Sequence, residues 1–248
     1  MMTSAEAPDL LARPDGLRLA YHLRPGSGPT IVFLPGYMSD MTGSKALALD
    51  AWAEREGRAL LRFDYSGCGA SEGAFDDGNL DIWRDDALFL IDTLTRGPLL
   101  LVGSSMGGWL MLLVALARRE RVAGLVGIAA APDFTSWGFT SAEKQILASE
   151  GLLLQPSAYS EQPSRTTLAF WESGQRNLLL DSRIALDCPV RLLHGKCDVD
   201  VPWPTAIRLA EAIEGDDVQL TLVKDGDHRL SRDQDIALLF ATIERLIA

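Results

Sequence analysis

The stretch Leu99–Gly108 reads LLLVGSSMGG, an apolar run followed by a turn rich in glycine and serine. Its residues Gly103 to Gly107 match the pattern G-x-S-x-G, with Ser105 at the centre. The run before the motif is typical of a buried strand, and the apolar residues from Met106 onward are typical of a helix. A serine on such a sharp strand-to-helix turn projects above the edge of the sheet. The motif in this setting predicts Ser105 as a nucleophile.

Ser104 is the neighbouring alternative, but only Ser105 has glycines two residues before and two residues after it. Those glycines leave room where a side chain would clash, and a helix beginning at Met106 directs backbone N–H groups at negative charge. The plainer interpretation of this segment is a tight βα turn without chemistry. The strand and helix around the motif favour the catalytic interpretation.

Apolar runs and helical patterns alternate along the rest of the chain. Strands that alternate with helices of this length predict βαβ units and a mostly parallel, doubly wound α/β sheet. Residues Pro14–Gly16 predict a turn into an alternating strand over Leu17–Leu23, which we expect to form an antiparallel hairpin at the sheet edge. The other predicted strands are Thr30–Leu34, Ala59–Phe63, Leu99–Val102, Val122–Ile128, Val190–Leu193 and Val218–Val223, and the predicted helices are Gly43–Glu56, Leu80–Thr95, Met106–Arg119, Pro204–Ile213 and Gln234–Ile247.

Length and charge limit the classes of function. The 248 residues fit one domain over residues 1–248, and the formal net charge of −11 repels phosphate backbones, so we expect no nucleic-acid partner. The longest apolar stretches, such as Leu110–Leu116, are far shorter than a membrane span. The N-terminal residues resemble neither a secretory signal nor a transit peptide. The three cysteines have spacings unlike a zinc site or a disulfide framework, so we expect reduced thiols and a cytoplasmic protein.

Three histidines are available as the general base that an activated serine needs. In this kind of fold the chain order is serine, then acid, then histidine. His22 precedes the motif, and His194 ends a predicted strand, where local packing or hydrogen bonding is the simpler role. His228 follows the last predicted strand, in a polar loop before the final helix. Order and position predict His228 as the base.

The acid must orient the imidazole and stabilise its charged form. Asp198 comes just after a predicted strand and is our choice. Asp200 lies two residues further on, where a solvated loop carboxylate or a helix cap is the plainer role. Asp133, after the preceding strand, is the reserve, because an acid there also reaches the histidine in this kind of fold.

Acyl transfer also needs two preset donors for the oxygen of the tetrahedral intermediate. The backbone N–H of Met106, directly after the nucleophile, is the first candidate. The backbone N–H of Tyr37 is the second, in the loop after the strand that ends at Leu34. An ordinary strand-exit turn is the alternative interpretation of that loop.

A long insert over residues 133–187 interrupts the alternation of strands and helices. It contains helical patterns at Ser141–Glu150, closed by Gly151, and at Thr166–Trp171. An insert of this length is usually functional, so we expect a helical lid over Ser105 that forms an acyl-binding pocket. The alternative is a small core of the insert's own. The candidate substrate-binding residues are Trp137, Phe139, Tyr159, Phe170 and Trp171, and Leu152–Leu154 add to the apolar character.

Four segments resemble one branch of the α/β-hydrolase superfamily. They are Phe33–Met38, Leu61–Gly69, Gly103–Met111 and Cys188–Gly195, and the likeness runs from about Thr30 to the C-terminus, including Pro156–Glu161. The branch is the abhydrolase-domain proteins of mitochondria that act as palmitoyl-protein thioesterases and acyl-glucuronide esterases. Without a targeting peptide, a bacterial cytoplasmic relative is the better expectation. The resemblance implies a triad of Ser105, Asp198 and His228.

The sequence therefore predicts a serine esterase or thioesterase that works through an acyl-enzyme intermediate. We expect no metal or organic cofactor, and a small-molecule ester or thioester, or an acylated protein, as substrate. The same triad also supports hydrolysis of peptide or carbon–carbon bonds. A non-catalytic small-molecule binder on the same fold is the alternative from a different class.

Overall fold

The computed structural model describes residues 7–157 and 161–247, over which strands and helices alternate. The strands are β1 (Asp9–Ala12), β2 (Arg18–Arg24), β3 (Ser27–Leu34), β4 (Arg58–Phe63), β5 (Leu99–Ser104), β6 (Val122–Ile128), β7 (Leu152–Gln155), β8 (Ser164–Thr167), β9 (Val190–Gly195) and β10 (Val218–Val223). The α-helices are α1 (Ser44–Arg55), α2 (Leu80–Leu94), α3 (Met106–Ala117), α4 (Phe134–Trp137), α5 (Ser141–Glu150), α6 (Leu168–Arg176), α7 (Pro204–Ala212) and α8 (Asp233–Ile247).

Eight of these strands form one sheet in the order β1-β2-β4-β3-β5-β6-β9-β10. All neighbours from β4 to β10 pair in parallel, whereas β1 pairs with β2, and β2 with β4, in antiparallel. The predicted parallel sheet and its antiparallel edge hairpin are therefore confirmed. In register, Leu34 of β3 lies beside Gly103 of β5, and Ser104 lies beside Ile128 of β6. The carboxyl ends of three adjacent strands thus meet at one edge, where open α/β sheets bind ligands.

Helices cover both faces of the sheet, as expected for a doubly wound fold. Helices α1 and α8 pack on one face, where Trp52 and Phe240 stack with ring centroids 5.6 Å apart. Helices α2, α3 and α7 pack on the other face, around buried Trp83 and Trp109. Every residue of β5 is buried, which explains why the strand reads as a continuous apolar run. No helix in the described part of the chain is both long and apolar enough to cross a membrane.

The insert between β6 and β9 is only partly helical. Helix α5 matches the predicted Ser141–Glu150 and ends on Gly151, whose left-handed φ of 76° suits glycine. The predicted helix at Thr166–Trp171 is wrong at its start, because β8 runs through Thr167 and pairs in antiparallel with β7. The apolar Leu152–Leu154 stretch lies in β7, so the described residues of the insert form three helices and a two-stranded ribbon.

Candidate active site

Ser105 occupies a strained turn between β5 and α3. Its backbone has φ 55° and ψ −121°, a region that residues with a side chain rarely adopt. Two backbone hydrogen bonds hold it there, from Ser105 N to Ile128 O at 2.9 Å and from Ala131 N to Ser105 O at 3.0 Å. A Cβ on Gly107 would lie 2.1 Å from the Leu34 carbonyl oxygen, so this motif position requires glycine. The surrounding structure therefore maintains the strain and presents the hydroxyl at the sheet edge.

His228 bridges Ser105 and Asp198. Its Nε2 lies 3.1 Å from Ser105 Oγ, and its Nδ1 lies 2.8 Å from Asp198 Oδ2. Because the carboxylate is only an acceptor, Nδ1 carries the proton and Nε2 is left to accept from the serine hydroxyl. The structure brings together the three side chains that the sequence singled out, in the order that a serine nucleophile needs.

Backbone and side-chain donors surround the Asp198 carboxylate in the loop after β9. Its Oδ1 accepts from Asp200 N at 2.9 Å and from Val201 N at 2.8 Å. Burial alone raises the pKa of Asp198, but hydrogen bonds from His194 and His228 outweigh burial and hold that pKa well below its usual range. The carboxylate therefore stays ionised beside the imidazole.

His194, for which the sequence predicted local packing or hydrogen bonding, lies beside this site. Its side chain is buried, and its Nε2 lies 3.0 Å from Val201 O and 3.2 Å from Asp198 Oδ2. The sequence feature that could have indicated this contact is the spacing of four residues between His194 and Asp198, across the loop after β9.

The remaining candidates for the acid and the base are Asp133, His22 and Asp200. Asp133, the reserve acid, accepts hydrogen bonds from Leu179 N at 2.8 Å and Leu180 N at 2.7 Å, and burial raises its pKa. It therefore ties the insert to the end of β6 and is not bonded to the histidine. His22 lies in β2, separated from β5 by β4 and β3. Asp200 is exposed, and its backbone N–H supports Asp198.

The two candidate oxyanion donors lie on either side of Ser105. A Cβ on Gly36 would lie 3.3 Å from Ser105 Cβ, so the loop carrying Tyr37 abuts the turn. Met106 is the first residue of α3, and no side chain caps that helix end. Within residues 7–157 and 161–247, neither the Tyr37 nor the Met106 amide donates to another group. Both N–H groups are thus available to an incoming oxygen.

Tyr37 also has a structural role that its sequence position did not predict. Its hydroxyl donates to the Arg165 carbonyl of β8, and its ring lies 4.8 Å from the Phe170 ring centroid and 6.0 Å from that of Phe134. Burial raises the pKa of this phenol above its usual value. Tyr37 therefore fixes its own loop against the insert.

Two cavities open on either side of Ser105 and His228. The larger, of about 320 Å³, is lined by polar and apolar groups in similar measure and is bordered by Lys45 and Arg229. Lys45 Nζ donates to the Arg229 carbonyl, and burial together with the nearby Arg229 charge lowers the Lys45 pKa to about 8. The smaller cavity, of about 190 Å³, has aromatic residues of the insert in part of its lining.

Only some of the predicted lid residues line the smaller cavity. Trp137 and Phe139 line the smaller cavity, together with Phe134, which sequence reasoning missed. Phe170 does not line it, because its ring is buried beneath the cavity against Tyr37 and Phe134. Trp171 does not line it either, since its Nε1 donates to the Thr135 carbonyl at 2.9 Å on the inner side of the insert. Tyr159 lies outside the described residues.

Asp198, Asp200 and His228 bring potential metal-ligand atoms within 4.8 Å of one another. Two of these groups already bond to each other, and His228 also bonds to Ser105. The hydrogen bonds of this cluster thus connect Asp198 to the Ser105 hydroxyl through His228.

Comparison with known proteins agrees with this fold. Residues 29–218 match the family model described as alpha/beta hydrolase fold. The human mitochondrial palmitoyl-protein thioesterase ABHD10 is 43% identical over 241 residues, which cover 96% of this chain and 79% of the human protein. Two solved structures superpose with a TM-score of 0.91 and cover 98% of each chain: a putative hydrolase from Agrobacterium vitis S4, 42% identical, and mouse alpha/beta hydrolase domain-containing protein 10, 40% identical. These matches confirm the predicted fold and the hydrolase class. The chain belongs to the α/β-hydrolase family.

Proposed function

We propose that this protein hydrolyses carboxylic esters or thioesters through an acyl-enzyme intermediate. Ser105 is the nucleophile, His228 the general base and Asp198 the acid that orients it. The observation that carries the proposal is the unbroken hydrogen-bond chain from Ser105 Oγ through His228 to Asp198, with distances of 3.1 and 2.8 Å. A serine that hydrogen-bonds a correctly oriented imidazole can give up its proton as it attacks.

Acylation begins when Ser105 Oγ attacks the substrate carbonyl carbon. The hydroxyl proton moves to His228 Nε2, and the imidazolium is stabilised by the Asp198 carboxylate, which remains ionised. The Tyr37 and Met106 N–H groups hold the negative oxygen of the tetrahedral intermediate. Donors fixed in advance stabilise this charge without reorganising during the reaction.

Collapse of the intermediate breaks the bond to the leaving group. His228 returns the proton to the departing alcohol or thiol, and the acyl group stays on Ser105. Water then attacks the acyl carbon, with His228 taking its proton, and the free acid and Ser105 are restored.

Two observations support esters and thioesters as the substrates. The human relative bears the name palmitoyl-protein thioesterase, and two cavities adjoin Ser105, one with aromatic residues of the insert in its lining and one bordered by Lys45 and Arg229, which gives room for an acyl group and a leaving group. Hydrolysis of peptide or carbon–carbon bonds uses the same three groups, so a substrate screen should include both beside esters, acyl-cysteine thioesters and acyl glucuronides.

Labelling by a fluorophosphonate probe tests the nucleophile. We expect wild-type protein and Ser104→Ala to be labelled, and Ser105→Ala to remain unlabelled. Ser104 is the matched control because it adjoins Ser105 and is buried at the end of β5. Labelling that survives in Ser105→Ala contradicts the assignment. A wild-type protein that is neither labelled nor active on any substrate favours a non-catalytic binder.

A further inference from the structure

We infer that the site accepts short or aromatic acyl groups and discriminates against long alkyl chains. The inference rests on the proposed acyl transfer at Ser105 and concerns the smaller cavity beside it. Phe134, Trp137 and Phe139 form the apolar wall of that cavity, whose volume is about 190 Å³.

The size of the cavity sets the first limit. A protein cavity of about 150 Å³ holds one benzene molecule. Pockets that bury drug-sized ligands usually begin at about 300 Å³. The cavity beside Ser105 therefore accommodates a ring or a short chain of roughly six carbon atoms, by comparison with benzene. The greater part of a palmitoyl chain would remain outside it.

The apolar wall is held by contacts that resist expansion. The Phe134 ring lies 5.8 Å from the Trp109 ring and 5.6 Å from the Phe170 ring, both of which are buried. Trp137 Nε1 donates to the Pro132 carbonyl at 2.9 Å. Close-packed aromatic clusters move only by breaking several contacts at once, so this wall limits the acyl group.

The ribbon side of the cavity is polar. Gln155, Ser164 and Thr166 line it, and Gln155 Nε2 donates to Glu143 Oε1 at 2.7 Å. An alkyl chain that left the cavity on this side would cover polar groups without replacing their hydrogen bonds, which is unfavourable. Backbone contacts also hold the ribbon, because Leu168 N donates to Gly151 O at 2.8 Å and the Tyr37 hydroxyl donates to the Arg165 carbonyl. Size and polarity therefore both disfavour long chains.

A series of para-nitrophenyl esters tests the inference directly. We expect kcat/KM to be highest for butyrate, hexanoate or benzoate, and to fall at least about tenfold for laurate and palmitate, since a misfit of one methylene in a pocket already changes kcat/KM by about that factor. A wild-type protein that hydrolyses palmitate as fast as butyrate overturns the inference. A protein that hydrolyses none of these esters overturns the proposed function itself.

Trp137→Ala and Trp171→Ala form a matched pair for the wall. Both side chains are half-buried tryptophans of the insert whose Nε1 donates to a backbone carbonyl, but only Trp137 lines the cavity. We expect Trp137→Ala to raise the laurate-to-butyrate ratio of kcat/KM about tenfold, because it lengthens the cavity. Trp171→Ala should leave the ratio unchanged. Equal ratios in the two variants contradict the assignment of the wall, and the wild-type profile decides the inference even if a variant fails to fold.

Discussion

Two histidines share one oxygen of Asp198, and their roles differ. His228 Nδ1 is 2.8 Å from Oδ2 and connects the carboxylate to Ser105, whereas His194 Nε2 is 3.2 Å from the same oxygen and also reaches the Val201 carbonyl. A carbonyl is only an acceptor, so the His194 proton must be on Nε2. With two backbone N–H groups on Oδ1, the carboxylate has four donors. His194 thus orients the Asp198 carboxylate and keeps it ionised, without contacting the reacting atoms.

Removing the His194 donor should weaken catalysis and change stability in a pH-dependent way. The pKa of Asp198 is lowered on folding, so its ionised form stabilises the fold above the ordinary aspartate pKa, and this stability is lost as pH falls through the lowered value. We expect His194→Leu to lower kcat about tenfold with little change in KM, consistent with a lost hydrogen bond to a charged group. Its free energy of unfolding should fall at neutral pH, and the gap to wild type should narrow in acid.

His194→Gln is the conservative control, because its amide can still donate. It should recover most of kcat and of the neutral-pH stability in urea titrations. A gap in stability that stays constant from neutral to acid pH would mean that His194 acts only through packing.

Asp198 and Asp133 are both buried aspartates at the ends of parallel strands, yet we expect opposite phenotypes. Asp198→Asn should lower kcat by about ten-thousandfold, because an amide favours the wrong imidazole tautomer. Asp133→Asn should keep kcat per folded molecule and lower the melting temperature, because its carboxylate binds the Leu179 and Leu180 amides. Steady-state kinetics corrected by active-site titration separate the two. A large loss of kcat in folded Asp133→Asn would indicate that Asp133, and not Asp198, is the acid that orients the histidine.

At the scale of elements, the turn between β5 and α3 depends on close contact with the loop after β3. We expect Gly107→Ala to cost about 1–3 kcal/mol of unfolding free energy, as overpacking does, and to lower kcat by displacing the Tyr37 donor. Gly43→Ala is the control, since a Cβ there meets no atom closer than 3.5 Å and its φ is −59°. Equal stability and kcat for both variants would contradict this account of the turn.

The sheet was predictable from sequence, whereas in the insert helix α5 was predictable and the two-stranded ribbon was not. Strands buried on both faces, such as Leu99–Val102 and Val190–Leu193, read as continuous apolar runs, so their positions follow from composition alone. β7 and β8 have only four residues each, and β8 reads SRTT, so neither has the length or the pattern of a strand.

Chain order and strand ends constrained the choice of Ser105, Asp198 and His228, which the structure brings into one hydrogen-bond chain, whereas the aromatic residues of the insert carried no such constraint. Trp137 and Trp171 are both tryptophans of the same insert, but only the three-dimensional structure shows that Trp137 lines the cavity and that Trp171 instead donates to the Thr135 carbonyl. Phe134 was missed for the same reason. The direction of a side chain in an irregular insert depends on distant partners, here Trp109 and Tyr37.

At the scale of the whole molecule, Trp52 of α1 and Phe240 of α8 support the fold and line neither of the two cavities beside Ser105. Trp52 stacks on Phe240 and donates to Glu244 Oε1 at 3.2 Å. We expect Trp52→Ala to lower the free energy of unfolding by about 3–5 kcal/mol while kcat per active site is unchanged. Leu47→Ala, on the exposed side of α1, should change stability by no more than about 0.5 kcal/mol. Urea unfolding and active-site titration check both, and a lowered kcat in folded Trp52→Ala would contradict this separation.

The net charge of −11 leaves the absence of a nucleic-acid partner as a prediction for the molecule as a whole. The cytoplasmic location also stays a prediction, and the human relative is named as mitochondrial. Neither affects the chemistry at Ser105, which lies in a site formed by the ends of several parallel strands.

In the proposed mechanism, Ser105 carries the acyl group during turnover. Rapid mixing of the wild-type protein with para-nitrophenyl butyrate, followed by an acid quench, allows the acylated peptide to be identified by mass. We expect a butyryl group on the peptide that contains Ser105, formed and lost at rates that account for steady-state turnover, and no such adduct or turnover in Ser105→Ala. Turnover that persists in Ser105→Ala, or an adduct on another residue that is kinetically competent, would contradict the account.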